Sequence, residues 1–346
     1  MNEPDANPPP LATVPAAGTP FDRGAALGAH AKGAIHDGVR RAESFQALLE
    51  WRGSPLLAEL EQAARQRFPA YMVELDGLAA GAEWAFEEAL IWNCRGDLRT
   101  AADSNPIGCT TLFDATPGNY LIAHNEDGAP ELAGRGFMVD WRPDDGLAAW
   151  SYAYPGLLVG NSFAVNERGL VQTINNLRAN DAQPGVPRHL VARAILDARD
   201  LDVALDLLVE GPRASGYHHG LAQAGDPRIL AVEAPASDFA VRRVQGRYAH
   251  ANHLIDPRLK KVPQTVSPSS AARQQRAGAR FVDAGEPAVE VLFDGQGVLP
   301  IHCRGRVGED SYTLATAVFR ITDLGVHLDV LGDDPASPWF QASVRP

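Results

Sequence analysis

The chain has little cysteine, little positive charge and no long apolar run. Its 346 residues include three cysteines and carry a formal net charge of -12, with 45% hydrophobic and 21% charged residues. Widely spaced cysteines predict neither a disulfide framework nor a zinc site. The acidic balance argues against a nucleic-acid partner and an anionic membrane surface. No apolar run reaches the roughly 18 residues that a transmembrane helix needs.

The motifs of several common enzyme classes are missing as well. There is no GxSxG turn, no Walker phosphate loop and no GxGxxG run that opens a helix after a strand. We predict neither a metal nor an organic cofactor. The adjacent His218 and His219 look like a metal-ligand pair, but neighbouring strand residues face opposite ways, so we expect them in a surface loop.

The first 20 residues contain acids and prolines, but neither the basic nor the apolar stretch of a secretory signal. We expect residues 1–20 to form a flexible segment. Together with the few cysteines, this beginning indicates a reducing, cytoplasmic location.

The pattern of the sequence changes near residue 105. Before it, apolar residues recur at helical spacing, most clearly over residues 69–94. After it, alternating stretches predict strands, beginning with a hairpin whose arms are Cys109–Asp114 and Tyr120–Asn125 and whose turn is Pro-Gly-Asn. Two helices follow from residue 187, and further strands, one helix and two last strands complete the chain. This order predicts an α+β fold with two antiparallel sheets between helical layers.

The run Asn-Pro-Ile-Gly-Cys-Thr-Thr places Cys109 at the first position of a predicted strand, directly after Gly108. Gly108 has no side chain to shield its carbonyl. Cys109 can attack that carbonyl, form a thioester and release the preceding peptide by hydrolysis. Its new α-amine, with a pKa of about 8, can then serve as the base for its own thiol. The alternative is an inert cysteine buried as a small hydrophobe.

Five segments of the sequence, one of which contains this cysteine, form a recognisable set of motifs. They are TPFDRGAALGAH near the beginning, GCTT at 108–111, NED at 125–127, NERGL at 166–170 followed by Asn175, and AHANH at 249–253. In this order they resemble the acyl-coenzyme A:6-aminopenicillanic acid acyltransferase family, whose relatives include hydrolases of β-alanyl amines. The resemblance implies the N-terminal-nucleophile (Ntn) superfamily, with penicillin V acylase and bile salt hydrolase, and a four-layer αββα sandwich.

The resemblance also implies roles for individual residues. Asp127 would orient the new α-amine, and its place on the strand paired with that of Cys109 makes the two expected cross-strand neighbours. Asn252 would offer its amide to the oxyanion that develops during acyl transfer. Asn175 is the second oxyanion candidate, through its side chain or backbone, and Asn176 is the alternative to it.

Several further residues are candidates for supporting the site. Asn125 shares a strand face with Asp127 and either bonds the nucleophile strand or is structural. His253 either shapes the substrate pocket or belongs to a polar cluster. The late arginine that the family uses corresponds to Arg304 or Arg306, and Cys303 is interpreted as structural.

The sequence therefore predicts an enzyme that cuts itself before Cys109. Residues 21–108 would form a helical light piece and residues 109–346 a catalytic heavy piece, and the two would stay associated in one Ntn domain, with homo-oligomers left open. The predicted activity is hydrolysis of a small N-acyl amide through an S-acyl-Cys109 intermediate. The alternatives are acyl transfer to an amine, with coenzyme A as a co-substrate, and an uncleaved binding protein without catalysis.

Overall fold

The structure, a computed structural model, describes residues 11–98, 108–304 and 311–346. Its first part is mostly helical, as predicted. After strand β1 (Thr13–Gly18), the helices are α1 (Pro20–Asp37), α2 (Glu43–Leu48), α3 (Pro55–Arg67), α4 (Pro69–Gly81) and α5 (Phe86–Asn93). No helix in the described part of the chain is long and apolar enough to cross a membrane.

Small residues let α1 and α4 approach closely. A Cβ at Gly24 of α1 would stand 1.8 Å from the Glu74 carbonyl, and a Cβ at Gly77 of α4 would stand 2.1 Å from the Phe21 carbonyl. Glycines at these contacts let the two backbones touch, at the usual cost in helix propensity. This close contact places α1 and α4 together in one helical layer.

Residues 109–346 supply most of the strands. These are β2 (Thr110–Thr116), β3 (Asn119–Gly128), β4 (Phe137–Pro143), β5 (Ala149–Ala153), β6 (Phe163–Asn166), β7 (Leu170–Asn176), β8 (Tyr217–Gln223), β9 (Ile229–Ala234), β10 (Ala240–Arg243), β11 (Gly246–His250), β12 (Tyr312–Thr322), β13 (Gly325–Leu331) and β14 (Pro338–Val344). The interspersed helices are α6 (Arg188–Ile195), α7 (Leu201–Val209), α8 (Pro268–Ala277) and α9 (Ala288–Leu292), and a π-helical turn, Gly278–Asp283, extends α8.

These strands form two sheets. The first has the order β1-β4-β5-β6-β7-β8-β9-β10, and the second has the order β11-β2-β3-β12-β13-β14. All pairs are antiparallel except β1 with β4, which are parallel. The β2–β3 hairpin turns over two residues, since Thr116 pairs with Asn119 across Pro117 and Gly118. Gly118 has a φ of 82°, which favours glycine.

The two sheets pack face to face, and a helical layer covers each outer face. Phe163 of the first sheet contacts Phe319 of the second, with 6.3 Å between ring centroids. On the outer face of the first sheet, Arg23 of α1 lies over Trp141 of β4. On the outer face of the second, Phe281 belongs to an apolar cluster with residues of β2, β3 and β12. The predicted α+β, four-layer αββα arrangement is therefore confirmed.

Two local expectations are wrong. Residues 13–18, expected in the flexible segment, form β1, because they pair with β4 at the edge of the first sheet. His218 and His219, expected in a surface loop, are buried on β8, and the His218 ring stacks on His250 with 3.6 Å between centroids. Thr19 and Pro20, also expected to be flexible, cap and begin α1. Residues 1–10 of the same segment lie outside the described residues, as do 99–107 of the predicted light piece.

Candidate active site

Cys109 lies immediately before β2, in the layer between the sheets. In the β2–β3 ladder Thr110 pairs with Asn125, and the same register carries Cys109 opposite Glu126. The expected cross-strand pairing of Cys109 with Asp127 is therefore wrong by one residue, because the hairpin turn contains two residues rather than three. Glu126, not Asp127, shares a strand face with the nucleophile candidate.

The Glu126 carboxylate brings three polar side chains together. Cys109 Sγ donates to Glu126 Oε2 at 3.5 Å, the Tyr154 hydroxyl donates to Oε1, and His124 Nε2 lies 3.1 Å from Oε2. Glu126 and His124 are buried, as is Cys109, which is 5% exposed. Glu126, the central residue of the NED segment, has no role predicted from the sequence. Its signal was strand alternation, which places Glu126 and His124 on one face.

The thiol is held in its protonated form. Burial raises the pKa of Cys109 well above its ordinary value, and the charges of Glu126 and Asp127 raise it further. A hydrogen bond from the Asp127 backbone N–H and the charge of Arg273 act in the opposite direction. Because the raised pKa leaves little thiolate near neutral pH, attack by Sγ requires a base.

Asp127 shares its strand face with Asn125, on the side of the second helical layer. Its Oδ1 accepts from Thr313 Oγ1 at 2.7 Å, and its Oδ2 is buried without a hydrogen-bond partner among the described residues. Burial raises the pKa of Asp127 to about 7, although the Arg273 charge opposes this shift. The unpaired oxygen leaves Asp127 able to accept one more N–H donor.

Gly108 packs against the side-chain amide of Asn252. A Cβ at position 108 would lie 2.1 Å from Asn252 Oδ1 and 2.8 Å from Nδ2. Nδ2 donates one hydrogen to the Asn176 carbonyl at 3.0 Å, and its second hydrogen has no acceptor within the described ranges. The amide predicted to serve the oxyanion thus stands beside the peptide unit that leads into Cys109, with one N–H still available.

Arg273 of α8, which is not predicted from the sequence, fixes the orientation of this amide. Its guanidinium, 1% exposed, donates from Nη2 to Asn252 Oδ1 at 2.7 Å and from Nη1 to the Cys109 carbonyl at 2.5 Å. Nη1 also lies 3.0 Å from Thr110 Oγ1. Because a guanidinium only donates, Oδ1 must face Arg273, and the amide nitrogen faces the other way.

The late arginine proposed from the sequence was Arg304 or Arg306. Arg304 forms an ion pair with Asp333, with 2.8 Å between Nη1 and Oδ1. Arg306 lies outside the described residues, so its role stays a prediction. Arg273 is the arginine that hydrogen bonds to Cys109 in the described structure.

Asn175 is committed to a structural role. Its Nδ2 donates to the carbonyls of His250 at 3.0 Å and Ala251 at 2.8 Å, and its Oδ1 accepts from Thr111 Oγ1 at 2.6 Å. Both amide hydrogens are used, which contradicts the predicted oxyanion role of this side chain. Asn175 instead fastens β7 to the end of β11, and the alternative, Asn176, contributes its carbonyl to the site.

Asn125 and His253 line the surroundings of the site. Asn125 Nδ2 donates to the Leu292 carbonyl at 2.8 Å, and its Oδ1 accepts from Thr316. It therefore binds α9 and β12 rather than the nucleophile strand, which agrees with the structural alternative. His253 Nδ1 lies 2.8 Å from Ser270 Oγ, and burial lowers its pKa.

The same cluster contains the donor atoms that a metal ion would need. Cys109 Sγ, His124 Nε2 and Glu126 Oε2 lie within 4.8 Å of one another, the one such group among residues 11–98, 108–304 and 311–346. Without an ion, Cys109 Sγ donates to Glu126 Oε2, which also lies 3.1 Å from His124 Nε2. The expectation that the protein needs no metal or organic cofactor stays a prediction.

The sequence matches proteins of known activity. A family model described as acyl-coenzyme A:6-aminopenicillanic acid acyl-transferase matches residues 115–334. The 40 kDa form of that acyltransferase from Emericella nidulans is 27% identical over 258 residues, which cover 69% of this chain and 68% of that one. A beta-alanyl-dopamine/carcinine hydrolase from Drosophila melanogaster is 27% identical over 206 residues, 54% of this chain and about half (53%) of the hydrolase.

Two solved structures are also similar. A mutant of conjugated bile acid hydrolase from Clostridium perfringens has a TM-score of 0.41 at 9% identity, covering 69% of this chain and 92% of that one. Penicillin V acylase from Agrobacterium tumefaciens has a TM-score of 0.38 at 12% identity, covering 68% and 86%.

Proposed function

The chain belongs to the acyl-coenzyme A:6-aminopenicillanic acid acyl-transferase family, and from this premise we propose that it is a self-cleaving cysteine amidohydrolase of the Ntn type. The contact between Gly108 and the Asn252 side-chain amide supports the proposal, because an amide N–H beside the peptide unit of a buried thiol could donate to an oxyanion formed there. The proposal has two chemical stages, cleavage before Cys109 and turnover of an amide substrate.

In the first stage, Cys109 Sγ attacks the Gly108 carbonyl carbon. The developing oxyanion accepts the free N–H of Asn252, which Arg273 keeps pointed away from itself. The C–N bond breaks, the Cys109 nitrogen takes a proton, and water hydrolyses the resulting thioester. The products are a Gly108 carboxylate and a Cys109 with a free α-amine.

In the second stage, that α-amine is the base for the Cys109 thiol. Its ammonium form can donate to Asp127 Oδ2, which has no hydrogen-bond partner among the described residues. The thiolate attacks an amide carbonyl, Asn252 stabilises the tetrahedral oxyanion, and an S-acyl enzyme forms. Water then releases the acid. Neither stage uses a metal or an organic cofactor.

The light piece, residues 21–108, is proposed to stay bound to the heavy piece after cleavage. Its side chains share one apolar core with the heavy piece: Leu27 of α1 and Val139 of β4 belong to the same buried cluster. The segment that precedes the light piece and stays joined to it contains β1 (Thr13–Gly18), which pairs with β4 in the first sheet. Separating the pieces would expose this core to water. A cytoplasmic location remains part of the proposal.

Acyl transfer to an amine is the second candidate, because the similar Emericella nidulans protein carries that activity in its name. Both reactions pass through the same S-acyl enzyme and differ only in what removes the acyl group. Coenzyme A would then enter as a co-substrate. A comparison of product ratios with and without an added amine separates the two.

Mass spectrometry of the purified full chain tests the proposal. We expect two fragments divided between Gly108 and Cys109, and an intact chain for Cys109→Ala. The cleaved protein is then screened against N-acyl amines, including β-alanyl amines, since one similar protein is named for hydrolysing them. An intact wild-type chain that matches Cys109→Ala in every assay would instead indicate an uncleaved binding protein.

A further inference from the structure

The α-amine that serves as base in the mature enzyme is absent before cleavage, because it is still part of the Gly108–Cys109 peptide bond. Resting on the function proposed above, we propose that Glu126, backed by His124, is the base that accepts the Cys109 thiol proton in the self-cleavage step. Self-cleavage and turnover then use different bases at the same thiol.

Glu126 is the side chain that the thiol reaches. Sγ donates to Oε2 at 3.5 Å in the uncleaved chain. The Asp127 carboxylate does not compete for this proton, because it faces the second helical layer, where its Oδ1 accepts from Thr313 Oγ1. This distance is longer than the roughly 2.6–3.2 Å of proton transfer between oxygen and nitrogen atoms, as expected for the larger sulfur atom. Catalytic hydrogen bonds that are long in the resting state tighten in the transition state.

The hydrogen bonds around His124 determine its tautomer. The Asn175 amide is fixed by two backbone carbonyls, so its Oδ1 can only accept, and the Thr111 hydroxyl must donate to it. Thr111 Oγ1 is then left to accept from His124 Nδ1, at 2.8 Å. Nε2 is therefore the ring nitrogen that faces Glu126 Oε2, at 3.1 Å, so a proton held by this pair lies between these two atoms.

This arrangement provides an acceptor for the proton of the Cys109 thiol. The proton moves from Sγ to Glu126 Oε2, where it is shared with His124 Nε2, while Sγ forms a bond to the Gly108 carbonyl carbon. When the C–N bond breaks, the proton is returned to the Cys109 nitrogen, which leaves as an amine. Tyr154, which donates to Oε1, holds the carboxylate in place and is a positioning residue, as is His124.

The test follows self-cleavage of full chains made in cell-free reactions, for wild type, Glu126→Gln and a matched control, Glu88→Gln. Glu88 is also a buried carboxylate, but it lies among the helices of the light piece, bound to Arg40 and Trp84. We expect cleavage of Glu126→Gln to be at least about 10²-fold slower, the size of a general-base effect. The control should cleave at the wild-type rate.

The pH profile separates a base from a structural support. Without its base, Glu126→Gln can react only through the small fraction of Cys109 that is already ionised. Its cleavage rate should therefore rise about tenfold per pH unit above neutrality, whereas the wild-type rate should depend less on pH. Hydroxylamine, which cleaves thioesters, should not restore the rate, since the lost step precedes the thioester. Restoration by hydroxylamine would overturn the proposal.

The two failures are distinguishable. A wild-type chain that never cleaves overturns the function proposed above. A wild-type chain that cleaves, alongside Glu126→Gln at the same rate, overturns only the role of Glu126. If Glu126→Gln does not fold, Glu126→Asp retracts the carboxylate by one methylene. Its cleavage should slow while the profile stays flat, and a wild-type rate for Glu126→Asp would contradict the proposal.

Discussion

Gly108 and Asn252 are in contact so close that a Cβ on residue 108 would stand 2.1 Å from Asn252 Oδ1. Real side chains do not approach to this distance, so any residue but glycine must push the amide or the backbone aside. The contact therefore couples the residue before the predicted cut to the predicted oxyanion donor.

Gly108→Ala should therefore slow self-cleavage while the fold survives. A displaced amide loses its hydrogen bond to the developing oxyanion, and loss of one such donor costs about 10²–10³-fold in related chemistry. Fragment formation on denaturing gels measures the effect, and the melting temperature of Gly108→Ala in a Cys109→Ala background checks the fold. Wild-type cleavage by Gly108→Ala would contradict the predicted role of the contact.

Asn252→Ala and Asn175→Ala should fail in different ways. Asn252 has a free N–H beside Gly108, so its loss should slow cleavage by about 10²-fold or more. Asn175 uses both of its amide hydrogens, and its loss removes hydrogen bonds to Thr111 and to the His250 and Ala251 carbonyls, each of which contributes about 0.5–1.5 kcal/mol. Asn175→Ala should therefore lower the melting temperature while its self-cleavage rate stays closer to that of wild type than the rate of Asn252→Ala does.

Measuring both quantities on both variants decides the assignment. The reverse pattern, with a stable but uncleaved Asn175→Ala and a fully active Asn252→Ala, would return the oxyanion role to Asn175.

Arg273→Lys should impair both the site and the fold. A lysine ammonium cannot reach Asn252 Oδ1 and the Cys109 carbonyl in the planar, two-pronged geometry of the guanidinium. One acceptor is left unpaired, which we expect to lower stability by about 1–3 kcal/mol and to slow self-cleavage. The matched control is Arg276→Lys on the same helix, where the side chain is 31% exposed and pairs with Asp294.

For these two variants the informative quantity is the difference between them. Thermal unfolding and gel-based cleavage rates should change for Arg273→Lys and stay near wild type for Arg276→Lys. Equal effects of the two substitutions on cleavage would contradict a specific role of Arg273 in the site.

The sequence predicts the strands that carry the site, but it does not predict the register in which β2 and β3 pair. Pro-Gly between two alternating stretches predicts the β2–β3 hairpin, and the structure has it. Whether such a turn spans two residues or three is decided by backbone geometry, and the difference of one residue moves Glu126 into the place expected for Asp127.

Two other features of the site, the role of Arg273 and the structural role of Asn175, could not be predicted for a different reason. Arg273 lies in the polar run ARQQR, where the sequence shows only a charged helix. Burial identifies it, because Ser270, Arg273 and Ala277 form the inward face of α8. Likewise, the carbonyls that occupy the Asn175 amide belong to β11 of the other sheet and the residue after it, 75 and 76 residues later in the chain. Such contacts depend on how sheets pack, which local patterns do not encode.

Asp127→Asn should change stability in a pH-dependent way. The pKa of Asp127 is raised from 3.8 to about 7 by burial, so between these values the folded chain holds a proton that the unfolded chain has released. Stability from this group is therefore complete below about pH 4 and falls as pH rises toward 7. Asparagine cannot ionise, and it keeps an oxygen for Thr313, so the variant should escape this loss.

The measurement compares Asp127→Asn with its parent, both in a Cys109→Ala background so that neither chain is cut. We expect the variant to gain in melting temperature relative to the parent between pH 5 and pH 8, by a few degrees, since 1 kcal/mol corresponds to about 2–4 °C in chains approaching this size. A constant difference across this range would mean that Asp127 is already ionised in the folded chain. Its Oδ2 would then need a donor before cleavage, and the α-ammonium of Cys109 could not be the first group to pair with it.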